Sequence, residues 1–132
     1  MTNNRWDAAI KQVYPADNGT SSFADTVRLG KAFDVIASVE IGRNLMEFVD
    51  RDELWVTVSN LSRVEVLAKK NQRRPLAPAS TSLTDELRVD IAPGWTADVG
   101  DLLQVVATYK AEAGLHTDFD SKVSQYFIVV PA

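Results

Sequence analysis

Apolar and polar residues alternate one for one along much of this chain, the two-residue period of a strand with one buried face. The run Phe33, Val35, Ala37, Val39 and Ile41, set against Asp34, Ser38 and Glu40, is the clearest case, with Ile36 its one exception and Gly42 its stop. Leu54, Val56 and Val58 alternate with Trp55, Thr57 and Ser59, and Leu87, Val89 and Ile91 with Arg88 and Asp90. Near the C-terminus Leu103, Val105, Ala107 and Tyr109 oppose Leu102, Gln104, Val106 and Thr108, and Tyr126, Ile128 and Val130 oppose Phe127 and Val129. These last two runs, 102–109 and 123–130, read as strands joined by a polar loop containing Gly114, His116, Asp118, Asp120 and Ser121. A lone hairpin buries too little to persist in water, so the pair predicts a larger sheet to which the other segments, with shorter ones at 23–29 and 64–68, contribute.

Two regions depart from the alternation. Trp6, Ile10 and Val13 fall at helical spacing and predict a short amphipathic helix over 5–13, too short to stand without a surface to lie on. Turn-forming residues fill 15–22, where Asn18-Gly19-Thr20 matches a glycosylation acceptor but reads as a tight turn. The expected organisation is therefore an N-terminal arm or linker, 1–22, followed by a β domain, 23–132. The second departure, 69–84, carries Lys69, Lys70, Arg73, Arg74, Pro75 and Pro78 with a Ser/Thr cluster and reads as one long irregular connection.

Short strands punctuated by turn signals, with almost no helical pattern, predict an all-β fold: a two-sheet antiparallel β-sandwich of about seven strands. A jelly roll or small barrel is the rival architecture. The succession Val27-Arg28-Leu29-Gly30-Lys31-Ala32-Phe33-Asp34-Val35, then Leu87 to Ile91, then Asp98-Val99-Gly100-Asp101 leading into a strand that ends Ala107-Thr108-Tyr109, resembles an immunoglobulin-like or fibronectin-type sandwich over 23–130. The cysteine pair of antibody domains is absent, so the resemblance implies a shape and no functional residue.

Composition narrows the picture modestly. At 132 residues the chain is expected to be one domain, long enough to bury roughly two-thirds of its unfolded surface. It has no cysteine, which removes disulfides and cysteine-ligated metal centres. The net charge of −4 and a pI near 4.9 argue against nucleic acid as a partner. No apolar run has the length of a membrane span, and the first residues lack a secretory signal pattern, so a cytoplasmic location is expected; a domain excised from a secreted chain would read the same.

Candidates for chemistry are sparse. His116, Asp118 and Asp120 have metal-ligand residue types, but three mixed side chains fall short of a zinc or calcium set and read as a solvated loop. His116 is the only histidine, no serine sits in a nucleophile elbow, and glycine-rich phosphate loops are missing, so neither catalysis nor a cofactor is expected. Lys69, Lys70, Arg73 and Arg74 concentrate positive charge in an acidic chain and suggest an anion or partner loop. The largest signal is a surplus of apolar residues. The strands at 54, 102 and 123 carry them on both faces, so that a shared sheet would leave an apolar outer surface in need of a cover. A non-catalytic binding or assembly module, self-associating or docking to a partner protein through Trp6, Ile10, Trp55, Leu102 and Val106, is the expected function. Carbohydrate binding through exposed tryptophans is the alternative, and a small hydrolase the third reading.

Overall fold

The structure, a computed structural model, describes residues 7–132. Among these residues, nine strands and one helical turn follow in the order β1 (Ala8–Asp17), β2 (Thr26–Arg28), β3 (Phe33–Ile41), α1 (Arg43–Met46), β4 (Arg51–Asn60), β5 (Glu65–Pro75), β6 (Leu83–Ile91), β7 (Leu102–Ala113), β8 (His116–Val123) and β9 (Phe127–Val130). They form two packed sheets, one of three strands in the order β1-β3-β6 and one of six in the order β2-β9-β7-β4-β5, with β8 also on β7. The all-β sandwich expected from the alternation is thus observed. All pairings are antiparallel except β2 with β9.

The alternating residues face inward as their period requires. Val35, Ala37, Val39 and Ile41 of β3 and Leu87, Val89 and Ile91 of β6 meet Leu54, Val56 and Val58 of β4 and Leu103, Val105, Ala107 and Tyr109 of β7 in one core. Phe127 joins them from β9, edge-on to Phe33 at 6.0 Å, and Phe33 in turn meets Trp95 at 5.9 Å. The indole of Trp95 donates to the Lys31 carbonyl, so this tryptophan is a core residue with its polar edge satisfied. Leu45 and Met46 of α1 close one end of the core.

Four expectations need correction. Residues 8–17 are not a helix but an edge strand on β3, part of the sandwich itself. A register shift between Ile10 and Gln12 inserts a bulge, and this extra residue puts Ile10 and Val13 on the same inner face three positions apart, which imitates a helical period. The region 69–84 is not one loop: β5 runs to Pro75, β6 begins at Leu83, and only 76–82 connects them. The polar stretch after Tyr109 is a hairpin in which β7 continues to Ala113 and β8 starts at His116. The outer face of β3 is only partly wet. Asp34 is buried against Arg88 and accepts from the Gly19 amide, while Ile36 is sealed between Tyr14 and Arg88, its neighbours in register. The Asn18-Gly19 segment is the tight turn expected, with Gly19 at φ 80° and the Thr20 amide on the Asp17 carbonyl.

The two sheets are stitched along one side by side chains rather than by a shared strand. Asp118 of β8 accepts from the Ala8 amide at 2.6 Å and Asp120 from the Ile10 amide at 3.0 Å. Two outward donors of an edge strand are thereby satisfied by carboxylates at matching two-residue spacing. Replacing Asp118 with alanine is expected to cost about 1–2 kcal/mol, because an amide loses a charged acceptor. Amide hydrogen exchange should accelerate first at Ala8 and Ile10, while the amides of β4 and β7 stay protected.

Candidate functional site

The segments whose doubled apolar pattern raised the question of a cover lie in one sheet, but 123–130 is not one strand: Val123 ends β8, 124–126 leaves the sheet and 127–130 is β9, and β4, β8 and β9 are each hydrogen-bonded to β7. Residues directly opposite share a face, so registers can be read as rows across its outer surface. Val123, Val106, Thr57 and Lys69 form one row; Ser121, Thr108, Trp55 and Asn71 the next; Phe119, Lys110, Glu53 and Arg73 a third. Leu102 stands opposite Ile128 beyond them. Trp55 is 37% exposed and Val106 38%, and neither points into the core. Val123, Ile128 and Tyr126 are more exposed still.

The face is divided. Toward Leu102 it is mainly apolar, with Gln104 opposite Ser59 standing between Val106 and Leu102, whereas toward the β7–β8 turn it carries an ionic lattice. Lys110 pairs with Glu112 at 2.8 Å and lies 3.9 Å from Glu53, Arg51 pairs with Glu112, and Arg73 reaches Glu53 at 3.5 Å. The Glu112 carboxyl is held below its usual range by hydrogen bonds from Lys110 and Arg51. Trp55 marks the border, with the Lys110 ammonium 5.1 Å from its ring centre.

Of the expected contact residues, Trp55, Leu102 and Val106 come together here. Ile10 is buried in the core, so it offers no contact surface, and Trp6 lies outside the described residues. One member of the face, Phe119, belongs to the stretch that reads as a polar loop. The signal that would have found it is its place between Asp118 and Asp120: the aspartates face β1, so the phenylalanine faces out.

The basic group is split by strand parity. Lys69 and Lys70 are exposed and make no ion pair among the described residues. Arg74 turns inward, where its Nε donates to both oxygens of Asp52 at 2.9 and 3.0 Å and its Nη1 to Asp85 at 2.7 Å. Asp52 is 2% exposed and also accepts from the Tyr109 hydroxyl at 2.6 Å. Burial opposes the charge on Arg74, but the bonds to Asp52 and Asp85 outweigh it and hold the guanidinium above its ordinary pKa. Burial, then the Asp52 carboxylate, pushes the Tyr109 phenol up. Arg74 therefore joins the larger sheet to β6 across the core margin and is not a free anion site. His116, Asp118 and Asp120 are likewise not a metal set; the two aspartates serve the β1 edge, and among the described residues no group of three or more His, Asp or Glu is placed to hold an ion.

A cleft of about 480 Å³ opens where β1 and β8 part, lined by Gln12, Tyr14, Phe23, Lys122 and Gln125. Tyr14 and Phe23 form its aromatic wall, their ring centres 6.3 Å apart. It carries the Lys122 amine, the Tyr14 and Ser21 hydroxyls and the side-chain amides of Gln12 and Gln125.

No protein-family model matches the sequence, and comparison with curated proteins returns no significant relative.

Proposed function

We propose that this chain is a non-catalytic β-sandwich module whose work is association, through the apolar end of the outer face of its larger sheet. The observation that carries the reading is the juxtaposition of Trp55, Val106, Val123, Leu102 and Ile128 on one exposed surface. Exposed apolar side chains grouped on one sheet face are characteristic of interaction sites, and tryptophan at the border is a common anchor. A second copy of the same face is the simplest cover, since the ionic lattice beside it contains both signs and can meet its own image.

Strand order supports the immunoglobulin-like, fibronectin-type reading of the sandwich. In the lettering of such folds β1, β3 and β6 take the places of A, B and E, and β9, β7, β4 and β5 those of G, F, C and C′. Sheet faces of such domains commonly serve as contact surfaces.

Sugar binding at Trp55 is less well supported, because the Lys110 ammonium stands over the ring and neighbouring Asn71 is engaged with Glu53. The test is mass as a function of concentration. Val106→Glu is expected to leave the melting temperature close to that of the parent and to weaken association by about tenfold or more, as loss of a central contact does. Sedimentation profiles identical for parent and variant would refute the outer-face reading.

A further inference from the structure

On the side of the sandwich opposite the Asp118–Asp120 stitches, β5 ends the larger sheet and β6 the smaller, and among the described residues each is paired to another strand on one side only; between them run side-chain links, Arg74 to Asp85 and Gln72 to the Arg88 carbonyl. Unpaired strand edges of this length are usually protected or used. We propose that this flank pairs with the same flank of a second copy about a two-fold axis along the strands, β5 of each adding to β6 of the other. The contact is distinct from the outer face and does not rest on it.

Three independent features agree on one register. The first is level. Within one chain Arg74 reaches Asp85, and a two-fold axis parallel to the strands preserves that height. Arg74 of one copy therefore falls opposite Asp85 of the other, Arg73 opposite Glu86, Asn71 opposite Arg88 and Lys69 opposite Asp90. Inner-face residues then meet inner-face residues, as continuation of a sheet requires.

The second is main-chain parity. Leu61 donates to the Leu102 carbonyl, so odd residues of β4 bond β7 and even ones bond β5. Lys70, Gln72 and Arg74 thus bond β4, leaving the amides and carbonyls of Lys69, Asn71 and Arg73 facing out. On β6 the Arg88 carbonyl accepts from the Gln72 side chain, and with it Glu86, Arg88 and Asp90 face out. These are the residues the axis brings together, so each opposed pair can exchange main-chain hydrogen bonds. The Gln72 amide at 2.6 Å already fills the place that the Asn71 amide of the second copy would take.

The third is charge. Lys69 meets Asp90 and Arg73 meets Glu86, each contact occurring twice by symmetry, while Arg74 and Asp85 of each copy already pair with one another. Lys69 and Asp90 make no ion pair among the described residues. The competing arrangements oppose like charges, since β5 on β5 sets Lys69, Lys70 and Arg73 against themselves and β6 on β6 does the same for Asp85, Glu86 and Asp90.

The experiment is a charge swap read by sedimentation equilibrium and native mass spectrometry on the full chain, in a Val106→Glu background that removes the outer-face contact. The Val106→Glu protein is expected to be a dimer that weakens as salt rises. Adding Lys69→Glu, or instead Asp90→Lys, should raise its dissociation constant about tenfold or more. An equimolar mixture of the two charge variants should recover a dimer, and that dimer should be mixed. Far-ultraviolet circular dichroism on each variant separates lost pairing from lost folding. A monomeric Val106→Glu protein at about millimolar concentration, charge variants that dimerise undiminished, or a mixture that stays monomeric would each overturn the proposal. So would capture of an acidic peptide by β5 without any pairing of copies. An unchanged parent mass in Val106→Glu, with the charge variants monomeric, would remove the outer-face reading and leave this one standing.

Discussion

Arg74→Ala is expected to lower stability by about 3 kcal/mol, near the low end of the 3–5 kcal/mol range for breaking a buried ion pair. The loss comes less from the missing attraction than from what remains: Asp52, 2% exposed, keeps the Tyr109 hydroxyl as a donor but loses the guanidinium that accompanied it into the core. Arg74→Lys should recover only part of the loss, since an ammonium cannot span both oxygens of Asp52 and Asp85 at once. Urea unfolding at neutral pH measures both variants, and a loss below about 1 kcal/mol in Arg74→Ala would mean that Asp52 is resolvated or protonated at little cost.

The same cluster sets the response to pH. The hydrogen bond from Arg74 holds the Asp85 carboxyl below its usual 3.8 against the opposing effect of partial burial. A depressed carboxyl contributes its stability above the unfolded value and loses it as pH falls through the folded one, so the parent should weaken below about pH 4. Arg74→Ala should show a flatter acid limb. At the alkaline end the raised Tyr109 phenol reverses the sign: its contribution is complete below about pH 10 and is lost as the pH climbs past it.

Phe127→Ala should be at least as damaging, about 3–5 kcal/mol, because it empties a site 1% exposed at which two sheets meet through rings. Phe127 holds β9 against Phe33 of the smaller sheet, and Phe33 holds Trp95. Once the ring is gone, β2, whose only partner strand among the described residues is β9, loses the strand that positions it. Tryptophan fluorescence should report the change, with emission shifting to the red as Trp95 becomes wetter. Phe127→Leu is expected to keep more than half of the stability.

The strands that sequence reading placed well are those with one clean face. In 33–41, 54–60 and 102–109 alternation alone fixes which side chains enter the core, and Trp55 and Val106 point outward as their parity demands. Elsewhere the pattern was obscured for physical reasons. The bulge in β1 disguised a strand as a helix, and Pro15 strengthened the impression, though an edge strand tolerates a residue without an amide hydrogen. β5 has almost no apolar face to read: it is exposed on both sides over much of its length and is defined by its pairing with β4. β8 hid its period because its inward positions are carboxylates serving a neighbouring backbone. Trp95 lies outside any strand, so no period could assign it to the core.

The Asp118 and Asp120 stitches also order events in time. Their partners on the opening strand are 110 residues earlier in the chain, and a ribosome adding about 5–20 residues per second needs roughly 5–20 seconds to supply them. An unfinished chain in which the first strand had paired with β3 would present bare amides on its other side, available to any nascent neighbour on the same messenger. Placing Pro15 and the Ile10–Gln12 bulge on that strand makes it a poor template for such mispairing, so the features that concealed it from periodicity protect the chain while it is unfinished.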